Sequence, residues 1–381
     1  MKTEEKKILF LTGVFPPLLG GPGKIVEGLS FGLVKQGYSV FVLTFGEDDK
    51  KERPYRVKRI NLALPKPVKF FLTLWHALKN CKGDTVIYAT DNYTSGFCAA
   101  IASKITGKKL IIRFTGDSVW ESEYASGKTK SYITDFQKEK HSFFVSLKIA
   151  RRNFILKTAK KIITDCEFLK SLVESFGIEK EKITIINNAS EYYQKNNFES
   201  QKTGNKILTI GRLVPWKGID VLIKSMKDIK NKIPNAKLLI VGDGPETNNL
   251  KNLAKELNLS DSVEFLGTIL EKQEKEKIYS QSDVFALNTF YEGMSNVILE
   301  AMSHALPVVT TKAGGNPEFV NQENGILVER DNVKEISEAI IKLLADKEYA
   351  QKLGKTGKEK SEKYTWQSLV EKNIKLINEL I

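Results

Sequence analysis

Cysteine is scarce, and so is every pattern that would make it structural. The 381 residues include three, Cys81, Cys98 and Cys166, an odd number without paired spacing. That excludes a disulfide framework and predicts reduced thiols in a cytoplasm, packed as small apolar side chains. No apolar run approaches the roughly 20 residues of a membrane span, and Met1–Lys7 is too polar to begin a signal peptide. Zinc-finger spacing, an RNA-recognition signature and a basic-aromatic platform are all missing, which argues against nucleic acid as a partner. The acidic run Glu47-Asp48-Asp49 has no His, Asn or further carboxylate at ligand spacing, so no metal is expected. The glycines Gly20, Gly21 and Gly23 do not have the spacing of a dinucleotide fingerprint, and no NAD is predicted.

What is present is a globular composition, 41% hydrophobic and 28% charged, in a chain too long for one hydrophobic core. Two domains are therefore expected. The net charge of +13 lies wholly in the first half: residues 1–190 hold 32 Lys and Arg against 19 Asp and Glu, and residues 191–381 hold 27 of each. Such a half suits an anionic surface or substrate. In Lys66–Lys82, Phe71, Leu74, Trp75 and Leu78 recur at helical spacing beside Lys69 and Lys79. In Phe136–Ile162, Phe143, Leu147 and Phe154 share a helix with Lys148, Arg151 and Arg152. These stretches fit either an anionic membrane interface or a core-facing stripe with a solvated basic back.

The remaining pattern is strand, loop and helix, repeated. Lys7–Thr12, Ser39–Phe45, Thr85–Thr90, Lys109–Phe114, Lys161–Thr164 and Ile183–Ile186 read as buried strands of a first domain, residues 1–190. Gly20 and Gly21 open its first helix and permit close backbone approach to a ligand, or simply a tight turn. Asp91 and Asp117 fall after strand ends, where open α/β sheets keep ligands and where helix caps also sit. Glu191–Asn205 loses hydrophobic pattern and is taken as the linker. Residues 206–363 restart the plan with Lys206–Ile210, Leu238–Val241, Val263–Gly267, Val284–Leu287 and Pro307–Thr310, each followed by a loop and a helix, so a parallel sheet is expected. The last helix, within residues 364–381, is expected to pack back across the domain junction.

Candidate chemistry gathers on the loops of this second half. Arg212 and Lys217, with Gly211 and Gly218, suit a diphosphate. Leu287–Met302 reads as strand, polar loop and helix, with Ser295 or Asn296 placed to cap the helix that carries Glu300. Glu292 lies in the loop, and Glu300 lies roughly 7–8 Å further along the helix axis. Carboxylates at a sheet edge that attracts anions call for hydroxyl partners, so a sugar, diphosphate and ribose in series would span them. Taken singly, each is also explained as a solvated acid or a surface cation.

In this order and spacing the motifs resemble glycosyltransferase family 4, over almost the whole chain. The matching features are Gly20-Gly21, Arg212, Lys217-Gly218, the Gly242–Pro245 turn, Glu292 with Glu300, and Pro307-Val308-Val309. The resemblance implies a GT-B fold, two Rossmann-like doubly wound α/β domains facing a cleft. It also implies retaining transfer from a nucleotide-diphosphate sugar, and the basic surplus of the first half adds the expectation of a lipid-linked or surface-glycan acceptor at the cytoplasmic face of a membrane. By carry-over Glu300 binds ribose hydroxyls, and Glu292 with Gly293, Met294, Ser295 and Asn296 holds the donor sugar. Arg212 and Lys217 stabilise the departing diphosphate, and Gly20, Gly21, Gly242 and Gly267 complete the donor site. Neither metal nor cofactor is implied. Where many members have an N-terminal His this chain reads Phe114-Thr115-Gly116-Asp117, so either Asp117 stands in among the catalytic groups or the role is absent. The three histidines, His76, His141 and His304, fall in predicted helices. A nucleotide-sugar-binding protein without turnover and a nucleotide-sugar epimerase stand as alternatives.

Overall fold

The computed structural model describes residues 6–18, 20–190 and 204–381, so most of the segment expected as linker, together with Leu19, lies outside the described residues. The chain divides into two compact units, one built from Met1–Glu123, Ile133–Asn188 and Trp366–Ile381, the other from Tyr124–Tyr132 and Ala189–Thr365. Each is a parallel α/β sheet with helices in the crossovers.

The first unit holds seven strands: β1 (Lys7–Leu11), β2 (Ser39–Phe45), β3 (Arg56–Ile60), β4 (Thr85–Ala89), β5 (Leu110–Arg113), β6 (Lys161–Thr164) and β7 (Ile183–Ile185). Their order is β3-β2-β1-β4-β5-β6-β7, and every pair is parallel. Continuous apolar runs such as Ile8–Leu11 and Val86–Ala89 are buried because helices cover both faces of a parallel sheet. Edge strand β3, Arg56-Val57-Lys58-Arg59-Ile60, was not expected from the sequence. It keeps two lysine or arginine side chains among its outward positions, as edge strands do, and shows no apolar run.

The second unit holds β8 (Lys206–Ile210), β9 (Lys237–Val241), β10 (Val263–Gly267), β11 (Val284–Leu287), β12 (Val308–Thr311) and β13 (Gly325–Val328), in the order β10-β9-β8-β11-β12-β13. Strand β13 was also unforeseen. Its four residues begin with Gly325, whose Cβ would lie 2.6 Å from the Val308 carbonyl oxygen, so the pairing with β12 needs a glycine there. In both sheets the order reverses beside the first strand, between β1 and β4 and between β8 and β11. That reversal leaves a crevice at the carboxyl ends of the strands.

Several helices differ from expectation in extent. The basic stretch expected from Phe136 resolves into a turn at Ile133–Phe136 and a helix over Phe143–Thr158. His141 therefore lies in the connection and not in a helix, with its Nε2 2.8 Å from the Phe136 carbonyl. His76 sits within the Lys66–Asn80 helix, and His304 at the C-terminal end of Asn296–Ser303.

The Trp366–Asn378 helix is part of the first unit, and two glycines admit it. A Cβ on Gly28 would lie 2.2 Å from the Trp366 ring, and one on Gly32 would lie 2.6 Å from a Val370 methyl. Tyr88 donates to Asn373 Oδ1 at 3.0 Å, and Tyr38 donates to Asn378 Oδ1 at 2.6 Å. Because the helix Gly21–Lys35 is packed against Trp366 with no spare space, Gly28→Leu is expected to cost about 1–3 kcal/mol. A scanning-calorimetry melt should show Tm lowered by roughly 2–4 °C per kcal/mol, and an unchanged Tm would show that the helix does not hold this position.

Candidate functional site

The loops that follow β8 and β11 flank the switch point of the second sheet. The β8 loop runs through Gly211, Arg212 and a short 3-10 turn, Pro215–Lys217, ending at Gly218 in the left-handed region with φ 57°. A Cβ there would lie 2.0 Å from the Asn288 carbonyl oxygen, so only glycine lets the two loops close together. They are then laced by the Trp216 carbonyl, which accepts from Phe290 N–H at 2.7 Å and from the Thr289 hydroxyl at 3.1 Å. A second such approach, Gly314 at φ 59°, would bring a Cβ 2.1 Å from the Glu292 carbonyl oxygen. Gly315 N–H donates to that oxygen at 2.9 Å. Glu292 is thus gripped through its backbone, and its side chain is left to the crevice.

The lacing brings Lys217 and Glu292 into an ion pair between Nζ and Oε1, with both side chains largely buried. Arg212 stays exposed, its guanidinium 5.3 Å from the Trp216 ring centre. Gly293, Met294 and Ser295 are buried, and Ser295 caps the Asn296–Ser303 helix in position but without a side-chain hydrogen bond. Asn296 begins that helix, its Oδ1 buried with no hydrogen-bond partner. Gly242 follows β9 and Gly267 ends β10, and they meet through a hydrogen bond from Gly242 N–H to the Gly267 carbonyl at 2.8 Å. Glu300, on the second turn of the helix, accepts from the Tyr279 hydroxyl at 2.8 Å and from Lys275 Nζ at 2.5 Å. Arg212, Lys217, Glu292 and Glu300 all belong to this one unit, on the two strand-to-helix connections that border the reversal.

The first unit holds the remaining expected residues. Gly20 and Gly21 lie at the start of the Gly21–Lys35 helix. Asp117 is wholly buried: Arg152 Nη1 donates to its Oδ2 at 2.5 Å, Gln137 Nε2 donates to the same oxygen at 3.0 Å, and Val119 N–H donates to Oδ1 at 3.1 Å. Burial pulls the Arg152 guanidinium below its usual pKa, and the Asp117 charge opposes that pull. Far from offering a free carboxylate, Asp117 keeps a buried arginine paired. The capping role weighed for Asp91 likewise accounts for it, since Gly13, Tyr93 and Gly96 N–H groups donate to its carboxylate at 2.9–3.1 Å. Asp49 of the acidic run is spent on Arg53, whose hydrogen bond and charge hold its pKa down to about 2, with Arg59 adding to the effect. No cluster of three or more His, Cys, Asp or Glu with metal-binding geometry occurs among the described residues.

The fold is shared with solved structures. Sucrose-phosphate synthase of Thermosynechococcus elongatus superposes with a TM-score of 0.80 over 99% of both chains at 19% identity. The Anabaena protein HepE, in complex with UDP-glucose, gives 0.79 over 98% of this chain and 100% of its own, also at 19%. At that identity the likeness concerns the fold alone. In sequence, an uncharacterized glycosyltransferase of Haemophilus influenzae is 28% identical over 92% of this chain and 94% of its own length. A Mycobacterium tuberculosis protein named GDP-mannose-dependent alpha-(1-6)-phosphatidylinositol monomannoside mannosyltransferase is 31% identical over 44% of this chain and 45% of its own. Residues 19–190 match the family model described as Glycosyltransferase Family 4, and residues 192–360 match that described as Glycosyl transferases group 1. The chain is a GT-B-fold glycosyltransferase related to these families.

Three parts of the glycosyltransferase's site were not foreseen. Lys275 and Tyr279 lie in the charge-rich stretch Glu271–Lys277 and its continuation, where nothing in the spacing says which lysine turns inward. Residues Tyr124–Tyr132 join the second unit although they precede it by some way in sequence. The Tyr124 and Tyr132 rings stand 5.2 and 5.7 Å from Phe290, two residues before Glu292, and Gly314 N–H donates to the Tyr132 hydroxyl at 2.9 Å. The Arg330 guanidinium lies over the same Phe290 ring at 4.1 Å. Asn288, at the end of β11, is buried with neither side-chain polar atom hydrogen-bonded. No sequence signal distinguishes such cross-loop packing from ordinary aromatic content.

The Asp117 geometry gives a direct test. Asp117→Ala leaves the Arg152 charge buried and uncompensated, a loss of about 3–5 kcal/mol. Urea denaturation should show a midpoint well below that of the parent and below that of Asp117→Asn. A variant as stable as the parent, but inactive, would instead mark Asp117 as catalytic.

Proposed function

We propose that the enzyme is a retaining glycosyltransferase that moves a sugar from a nucleotide-diphosphate donor to a lipid-linked or surface-glycan acceptor at the cytoplasmic face of a membrane. The observation that carries the donor half of this reading is the pairing at the switch point. Two acids that would be poor partners for a diphosphate are each matched by a lysine, Glu292 by Lys217 and Glu300 by Lys275. On arrival of a donor, Lys217 and Arg212 turn to the diphosphate and stabilise its growing charge as it leaves. Glu292, with the Gly293–Asn296 backbone, then holds the donor sugar, and Glu300 accepts from the ribose. Front-face attack assisted by the leaving phosphate asks for no strong protein base. The buried state of Asp117 is consistent with that economy. An epimerase would need an acid–base pair at the sugar, and Glu292 is already paired with Lys217.

The acceptor half rests on the surface of the first unit. The helices Lys66–Asn80, Thr94–Thr106 and Phe143–Thr158 pack side by side, joined by Phe70, Phe97 and Phe154 with ring centres 5.9 Å apart. Outward from them Phe71 is 67% exposed, Trp75 53%, Phe143 72% and Phe144 76%. Lys79 lies over the Trp75 ring and Arg151 over Tyr93. Exposed aromatics among lysines and arginines suit the interface of an anionic bilayer. The Mycobacterium relative is by its name a phosphatidylinositol monomannoside mannosyltransferase, which supports a lipid acceptor here. Among the described residues no helix is long and apolar enough to cross a membrane.

A thermal-shift screen against UDP, GDP, ADP, TDP and their common sugars tests the donor site. One nucleotide family should raise Tm, by about 2–4 °C for each kcal/mol of binding linkage, and Glu300→Ala should abolish the rise. A flat response throughout would remove the assigned site. Flotation with anionic liposomes at low salt tests the surface: the parent should float, and a Phe71→Ser, Trp75→Ser, Phe143→Ser, Phe144→Ser variant should sediment. A parent that does not float contradicts the membrane reading.

A further inference from the structure

The helices Lys66–Asn80, Thr94–Thr106 and Phe143–Thr158 of the first unit carry eight lysines and arginines and no aspartate or glutamate. Any acid that pairs with these cations comes from another element, and on Phe143–Thr158 two of them find one. Lys148 pairs with Glu123 at 2.7 Å and Arg152 with Asp117 at 2.5 Å. Arg151 does not. Among the described residues no carboxylate pairs with it, and its Nε is buried without a hydrogen-bond partner. Rings hold it instead: the guanidinium lies 4.1 Å from the Tyr93 ring centre and 6.0 Å from that of Phe97. An aromatic ring attracts the cation but supplies no lone pair for the N–H groups of its fork.

The surroundings narrow the anion that this fork would take. Steps of three and four residues put Phe144, Leu147, Arg151 and Phe154 on one face of the helix, and the three apolar side chains are exposed there, as is Tyr93. A free phosphate or an acidic peptide reaching Arg151 would leave those side chains in water. An anion that brings its own hydrocarbon would cover them. We propose that Arg151, held by Tyr93, is a binding site for the headgroup phosphate of an anionic phospholipid, its planar fork taking two phosphate oxygens while acyl chains lie against Phe144, Leu147 and Phe154. The proposal rests on the reading of this surface as membrane-facing, and gives it one defined ligand in place of a general attraction between charges.

Co-sedimentation with vesicles of phosphatidylcholine and phosphatidylglycerol tests this on the parent, Arg151→Lys, Tyr93→Leu, the double variant and Lys157→Gln. Arg151→Lys keeps the charge and removes the fork; Tyr93→Leu keeps every charge and removes the ring. Each should weaken binding about ten-fold, the scale of one hydrogen bond to a charged group. The double variant should lose no more than either alone, because both changes remove the same contact. Lys157→Gln removes an exposed cation of the same helix. It should lose about five-fold at low salt and almost nothing at roughly 1 M salt, where the Debye length is about 3 Å, while the Arg151→Lys deficit should persist. Arg151→Lys and Tyr93→Leu binding as the parent does would overturn the site and leave the membrane reading standing. A parent that ignores the vesicles overturns both. Self-association without vesicles, seen by sedimentation velocity and lost in the same two variants, would put a second copy on this face and also overturn the proposal. Melting temperatures equal to that of the parent show an intact fold. If Arg151→Lys falls short of this, Tyr93→Leu, which alters an exposed ring, carries the test by itself.

Discussion

The second unit has to keep two carboxylates at the edge of a parallel sheet, within reach of one crevice, before any ligand arrives. Water is largely excluded there, so an unpaired carboxylate would be expensive, and each is given its own lysine. The Lys217–Glu292 pair ties the loop after β8 to the loop after β11, and the Lys275–Glu300 pair ties the helix before β11 to the helix after it. The two lysines neutralise these acids and, through the same pairs, join the segments on either side of β11.

That arrangement depends on backbone approaches that side chains would forbid. Gly218 against Asn288 and Gly314 against Glu292 bring three connections within hydrogen-bonding distance at the strand reversal. The aromatic layer of Trp216, Phe290, Tyr124 and Tyr132 then braces them from the side, with Arg330 over Phe290. The placing of the ion pairs thus depends on the close approaches of these glycines and rings. In the first unit Asp117 is likewise paired with Arg152, and Asp49 with Arg53 and Arg59, at the corresponding sheet edge.

How far these features were legible differs residue by residue. Strands such as Ser39–Phe45 and Val284–Leu287 were plain, because a doubly covered strand needs an unbroken apolar run. Strands β3 and β13 were not, since these two edge strands carry charges or a glycine and look like loops. Arg212, Lys217, Glu292 and Glu300 could be singled out because strand, loop and helix in fixed order place them at one sheet edge. Asp117 looked like their companion for the same reason, but position after a strand is common to site residues and to buried caps. Only Arg152, 35 residues away, distinguishes the two.

The doubly covered strands, the parallel sheets and the place of the glycine-lined loops follow from the sequence alone, because period, run length and turn chemistry are local properties of the chain. Which lysine meets which glutamate, that one oxygen of Glu300 is already occupied, and that residues 124–132 pack with a unit they precede were decided only by tertiary structure. Those are meetings between residues tens or hundreds of positions apart. They depend on close approaches and side-chain directions that a linear pattern does not carry.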